Sequence, residues 1–386
     1  MTRGPFSANT HVHVPPNASS DDTLDSLLAQ ARTEGLEVIG TSNFFDLQVL
    51  PRFVERTRAA GLYPLAGTEV ITVDADLEAR GWTVNDPQNP GRYYLQGRGL
   101  SVALAAAGAS PIGQGIRAAN DRRAEEQVAL MSRLVADAGL PNDVTAAMIA
   151  AALAGRSDVP AAWVSLQERH IARAFADLLL GLAPGDRVTV LGRLIGASTD
   201  IPDAGDLQNA LRAALLKHGR PAFVADSPVP FADGVAHVLA LGGIPTYCAV
   251  GDGATPICDY EAPAVDLARR IRDAGFHAAE LITVRNTRTC VEEYVAAFLD
   301  AGLIVMAGSE HNTPNRLPLA LTCVDGPIPE AAAAAFQEGT AIVAAHQALV
   351  AAGEAGFVDG AGDLVDGGRR TELAGHGRDL IAAALA

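Results

Sequence analysis

The sequence predicts an α/β fold: a barrel of repeated strand and helix units, interrupted by a mostly helical insertion. Apolar segments of strand length alternate with helical segments that close on a glycine, and the glycine spacings Gly35 to Gly61, Gly243 to Gly275 and Gly275 to Gly302 are 26, 32 and 27 residues, the length of βα units. Two units also end almost alike, Ala60-Gly61-Leu62 through Ala66-Gly67-Thr68-Glu69 and Ala301-Gly302-Leu303 through Ala307-Gly308-Ser309-Glu310. No G-x-G-x-x-G follows the first strand, which sets the barrel ahead of a doubly wound dinucleotide sheet. In such a barrel the C-terminal strand ends converge on one mouth, and His11, His13, Asn43, Glu69, Arg285 and Glu310 all fall there.

The first strand contains Thr10-His11-Val12-His13-Val14. Residues two apart on a strand share a face, with Cα atoms roughly 6 to 7 Å apart, so both imidazoles can reach one metal ion. Leu24, Leu27, Leu28 and Ala31 follow at helical spacing to Gly35, with Asp21 or Asp22 as the expected cap. Leu36 to Asn43 reads as a buried strand, a helix through Phe53 and Val54 ends at Gly61, and the strand to Glu69 comes next. Between Asn85 and about Pro221 the rhythm breaks into a turn-rich loop, one further strand at Arg92 to Gly99, and several amphipathic helices. The cadence returns with strands at Ile244–Val250, Ala278–Thr283 and Leu303–Glu310. A long Ala-rich helix from about Pro329 to Gly353 and a short helix from Gly377 end the chain. The expected division is a discontinuous barrel at 1–84 and 221–325, an insertion at 85–220 and a helical extension at 326–386.

The chain has 386 residues, 49% hydrophobic, and a formal charge of -16. That charge argues against nucleic acid or an anionic membrane as the main partner, because both require clustered Lys and Arg. No run reaches the roughly 20 apolar residues that span a bilayer, and the N-terminus does not read as a signal peptide, so a cytoplasmic protein with a small-molecule substrate is expected. Cys248, Cys258, Cys290 and Cys323 form no C-x-x-C pair.

His11, His13, Glu69 and Glu310, with Asp21 nearby, are nitrogen and oxygen donors suited to Zn, Mn or Fe, and the carboxylates could bridge two ions. Arg285 suits a phosphate clamp, or equally a helix start on the surface. His170 reads as a packed histidine on an insertion helix. Lys217 and His218 read as helix-end residues, and His311 has no clear place.

The order Asn9-Thr10-His11-Val12-His13, Ser20-Asp21, Gly40-Thr41-Ser42-Asn43, Gly67-Thr68-Glu69 and Gly308-Ser309-Glu310-His311-Asn312 resembles the PHP (polymerase and histidinol phosphatase) family over about residues 5–84 and 230–325. The resemblance implies a distorted (β/α)7 barrel with a site for two or three divalent metal ions that hydrolyses phosphate esters. It also implies Asn43 and Asn312 where typical members carry histidine, a missing Ala-His-Pro turn at Ala249-Val250-Gly251, and His311 shifted by one. Asn43, His311 and Asn312 are therefore expected as weak or outer ligands. The leading expectation is a metal-dependent hydrolase, with a catalytically degenerate PHP-like binding domain as the alternative. An amidohydrolase is a further alternative, although Lys217 is the only lysine available for carbamylation.

Overall fold

The structure, a computed structural model, describes residues 6–17, 19, 21–45, 47–311 and 318–386. It is mixed α/β, with two sheets. Strands β1 (Ala8–Val12), β2 (Val38–Thr41) and β3 (Tyr63–Leu65) lie parallel in that order, joined by α1 (Leu24–Thr33) and α2 (Leu50–Ala59). At Ala66 the chain passes to a second sheet, its N–H held by Gln347 Oε1 at 2.6 Å and its carbonyl by Leu100 N–H at 2.9 Å. There β4 (Gly67–Val73) runs into α3 (Ala75–Ala79) and returns as β5 (Arg92–Arg98), antiparallel to it.

The helices that follow are α4 (Val102–Ala106), α5 (Pro111–Asp137), α6 (Ala146–Ser157), α7 (Glu168–Leu180), α8 (Pro184–Ile195) and α9 (Ala204–Leu211). A hydrophobic core built only from residues between Ala124 and Ala222 holds most of them together, with Met131, Phe175 and Leu207 fully enclosed. Each such large apolar side chain contributes roughly 1.5 to 3 kcal/mol by leaving water. Strand β5 belongs to the sheet and not to this core, although it lies in the stretch read as the insertion. The chain returns through β6 (Val229–Pro230), α10 (Phe231–Ala240) and β7 (Ile244–Ala249), which pairs antiparallel with β5. Helix α11 (Ala264–Asp273), β8 (Ala278–Ile282), α12 (Arg288–Asp300) and β9 (Ile304–Gly308) then add parallel strands to β7.

The second sheet thus has the order β6-β4-β5-β7-β8-β9. It meets the first at two points, where Val12 bridges His311 and Asn43 bridges Thr68. The Gly-Thr and Gly-Ser steps read in the sequence have a steric cause at these joins. A Cβ on Gly308 would lie 2.1 Å from His11 Cβ, and one on Gly40 would lie 2.7 Å from the Thr10 carbonyl oxygen.

Two local expectations are corrected. Thr23, not Asp21 or Asp22, caps α1, its hydroxyl accepting the Ser26 N–H at 3.1 Å. The final helix α14 (Arg370–Ala384) begins well before Gly377 and packs on α13 (Glu330–Ala351). Gly377 sits at that crossing, where a Cβ would meet Ala341 O at 1.8 Å. Among the described residues no helix is long and apolar enough to cross a membrane.

Candidate metal centre

Strand β1 carries His11, and His13 follows it on the same face, as the two-residue period requires. Their rings lie 5.6 Å apart between centroids, and His13 also packs on Phe44 at 5.2 Å. Both turn Nε2 toward Glu69 on β4: His13 Nε2 is 3.4 Å and His11 Nε2 3.8 Å from Glu69 Oε2. All three residues are buried, at 1%, 1% and 4% exposure.

The opposite ring atoms are fixed. His11 Nδ1 lies 2.7 Å from Glu280 Oε2, and His13 Nδ1 lies 3.0 Å from Asn17 Oδ1. Both partners are acceptors, so each neutral ring carries its proton on Nδ1 and its lone pair on Nε2. Glu280 is ionised: burial alone would raise its pKa, but Arg98 and His11 outweigh burial and bring it down to about 2. Thr10 Oγ1 donates to its other oxygen at 2.5 Å, and Arg98 Nη2 donates to Oε2 at 2.5 Å.

His11 Nε2, His13 Nε2 and Glu69 Oε2 are each buried with no hydrogen-bond partner. Leaving such an atom unsatisfied costs about 1 to 3 kcal/mol. Three of them facing one another, two nitrogen lone pairs and a carboxylate oxygen, form a donor set that a divalent cation satisfies. Among the described residues a second group, His11, Cys248 and Glu280, brings donors equally close. Glu280 has its oxygens committed to Thr10, His11 and Arg98, and burial followed by Glu280, Glu69 and Glu310 keeps the Cys248 thiol protonated. That group is a hydrogen-bonded support and not a ligand set.

A cavity of about 210 Å³ opens from this point, with His11, Glu69, Tyr94, Arg285 and Glu310 in its wall. Glu310, just past β9 at φ 50, pairs with Arg285 at 2.7 Å and stands outside the close group of His11, His13 and Glu69. The two near-copied segments therefore differ: Glu69 lies inside a strand that continues, whereas Glu310 sits in a left-handed turn after its strand. Asp21 accepts from Ser26 Oγ at 2.7 Å and lies 3.8 Å from His311 Nε2. The Asn43 amide is engaged at both ends with the Val14 backbone, Oδ1 accepting at 2.9 Å and Nδ2 donating at 3.0 Å. Asn312 lies outside the described residues.

Arg169, in the first turn of α7, is half-buried, and its guanidinium makes no hydrogen bond or ion pair among the described residues. Burial, then Arg212, lowers its guanidinium to about 10, while Glu310 acts in the opposite direction. The neighbouring Glu168 draws in Arg123 at 2.9 Å, Lys217 at 3.2 Å and Arg212 at 3.3 Å.

Solved structures that resemble this chain in fold include the following two. A candidate metal-dependent phosphoesterase from Bifidobacterium adolescentis aligns with a TM-score of 0.56 at 16% identity, over 87% of this chain and 98% of its own. An amidohydrolase from Chromobacterium violaceum, solved with bound sulfate and no metal, aligns at 0.53 and 16% identity, over 85% of this chain and 96% of its own. The chain shares their fold. No known family profile and no curated protein sequence matches it.

Glu280, Arg98, Asn17 and Gln167 are the supporting residues that sequence reasoning missed. Glu280 had a signal, a lone carboxylate in the apolar run Ala278-Ala279-Glu280-Leu281-Ile282. Arg98, 1% exposed at the end of β5, had a weaker one.

Proposed function

We propose that this protein is a metal-dependent hydrolase of the PHP type, acting on a phosphate ester of a small molecule, with its two sheets closing as a distorted barrel. The observation that carries the reading is the convergence of three buried, unpartnered donor atoms, His11 Nε2, His13 Nε2 and Glu69 Oε2. These three residues would hold a divalent ion, Zn, Mn or Fe, with Asp21, Glu310 and His311 as the proposed further ligands. When bound, such an ion lowers the pKa of water toward 7 and stabilises charge developing on phosphoryl oxygens.

The chain's own groups do the rest. Glu280 and Asn17 hold the two imidazoles with Nε2 forward, so little rearrangement is needed on binding. Arg285, in the cavity wall, would exchange Glu310 for a phosphate, which its planar guanidinium can hold by two parallel hydrogen bonds. Arg169 adds positive charge from the insertion side. Asn43 acts as a clasp between strand ends and not as a ligand. In this reading the insertion proper begins after β5, and residues 326–386 cover the outside of the sheets.

The degenerate alternative draws support from Asn43, whose amide is engaged with backbone where the resemblance leads one to expect a histidine ligand. An amidohydrolase with a carbamylated lysine is disfavoured, because Lys217 pairs with Glu168 at 3.2 Å in the insertion. Metal analysis after growth in Mn and Zn, followed by turnover of phosphomonoesters and phosphodiesters, tests the proposal. Metal retention with turnover supports it, metal without turnover supports the binding domain, and absence of both removes the hydrolase reading.

A further inference from the structure

We infer that the helical insertion sets the metal-binding tautomer of His13 through Gln167 and Asn17; the inference rests on the metal-site reading above. Gln167 immediately precedes α7. Its Nε2 donates to Asn17 Oδ1 at 3.1 Å, and the same oxygen accepts from His13 Nδ1 at 3.0 Å. Asn17 is 3% exposed. His170 forms a reciprocal capping box with Gln167, takes the Gln167 N–H on Nδ1 at 3.1 Å, and bonds the Asn17 backbone. The start of α7 therefore grips Asn17 by side chain and main chain together.

An amide has one accepting end and one donating end. With the Gln167 NH2 directed at it, Asn17 turns Oδ1 toward both neighbours. An oxygen beside His13 Nδ1 requires the proton there, and a neutral imidazole with Nδ1–H keeps its lone pair on Nε2, the atom facing Glu69. Reversing the Asn17 amide would make His13 present an N–H to the cation. His11 has no such dependence, because its partner Glu280 is a carboxylate and has no donating end. Gln167 is thus a positioning residue, placed 150 residues from Asn17 in sequence.

Heteronuclear NMR of histidine side chains in the full-length, metal-free protein at about pH 8.5, well above the ordinary histidine pKa, reads the tautomer directly. The His13 signal is assigned by its loss in His13→Gln. Wild type is expected as a single Nδ1–H form. Gln167→Leu, which removes the donor, is expected to give a mixture. Gln167→Glu, which sets an acceptor against Asn17 Oδ1, is expected to drive His13 to Nε2–H, and it keeps the test open should the leucine variant not fold. Zn²⁺ affinity is expected to fall roughly 10- to 100-fold in both variants, the usual effect of losing a partner behind a ligand. Arg173→Ala, which removes only the surface pair with Asp177, should match wild type in both readouts. An unchanged Nδ1–H signal for His13 in Gln167→Glu overturns the inference. A wild type that binds no zinc overturns the metal reading instead, and leaves the tautomer result to decide what Gln167 does.

Discussion

Replacing Arg98 with methionine isolates the network behind the site. Arg98 is 1% exposed and donates to Thr41 O and Ser42 Oγ at 2.7 Å, to Gln96 Oε1 at 3.1 Å and to Glu280 Oε2 at 2.5 Å. Glu280, at 0% exposure, then keeps Thr10 and His11 as partners and loses the guanidinium that does most to lower its pKa. A folded-state pKa of about 2 against an ordinary 4.5 corresponds to about 3 kcal/mol of stability. The folded pKa is depressed, so this contribution is present above pH 4.5 and is lost as pH falls toward 2. Breaking a buried pair by removing one partner costs about 3 to 5 kcal/mol, so Arg98→Met should lose about that much at neutral pH. Arg98→Met with Glu280→Gln should recover most of it, because no isolated charge then remains buried. Urea unfolding followed by far-ultraviolet circular dichroism measures all three proteins. Equal losses in the single and double variants, or a loss below about 1 kcal/mol in the single, would refute this account of the network.

Gly308→Ala should push a methyl group into the 2.1 Å gap beside His11 Cβ, costing about 1 to 3 kcal/mol and weakening metal binding, whereas Gly155→Ala on α6, with open space around it, should leave metal binding unchanged; unfolding and metal titration check both. Burial raises the Glu261 carboxyl to about 7, against the hydrogen bonds from Val250, Gly251 and Tyr247. Its folded pKa exceeds the unfolded one, so its contribution is full below pH 4.5 and is lost as pH rises through 7. Relative to Glu261→Gln, wild type should therefore lose about 3 kcal/mol across that window, and parallel stability curves for the two proteins would contradict the assignment. Arg285→Met should raise KM for a phosphate ester about 10-fold or more with the fold intact, and an unchanged KM would exclude Arg285 from substrate binding.

How much of this was legible in the sequence follows from the distance over which each contact acts. His11 and His13 share a face because of a two-residue period, which is local, and Glu69 was marked by its Gly-Thr step. Glu310 was read alongside Glu69 as a metal ligand, and nothing in the repeated motif distinguishes a strand that continues, as at Glu69, from a left-handed turn whose carboxylate pairs with Arg285, as at Glu310. Strand β5 was readable as a strand, but its antiparallel direction was not, since alternation has no direction. Arg98 and Glu280 meet only through the β5-β7-β8 order, and Gln167 meets Asn17 only through the docking of the insertion. Asn43 was read from the family pattern as a weak or outer ligand, and its contact with the Val14 backbone, which depends on how two strand ends meet, was not legible.

The central claim is that His11 Nε2, His13 Nε2 and Glu69 Oε2 hold one ion together. Competition of Zn²⁺ or Mn²⁺ between a chelating dye and the wild type, His13→Ala and Glu69→Ala proteins tests it most directly. The account predicts at least one tightly held ion per wild-type chain and affinities weaker by more than about 100-fold in either variant, beyond what the loss of an outer partner brings. A wild type that takes up no ion, or variants that bind as tightly as wild type, would contradict it.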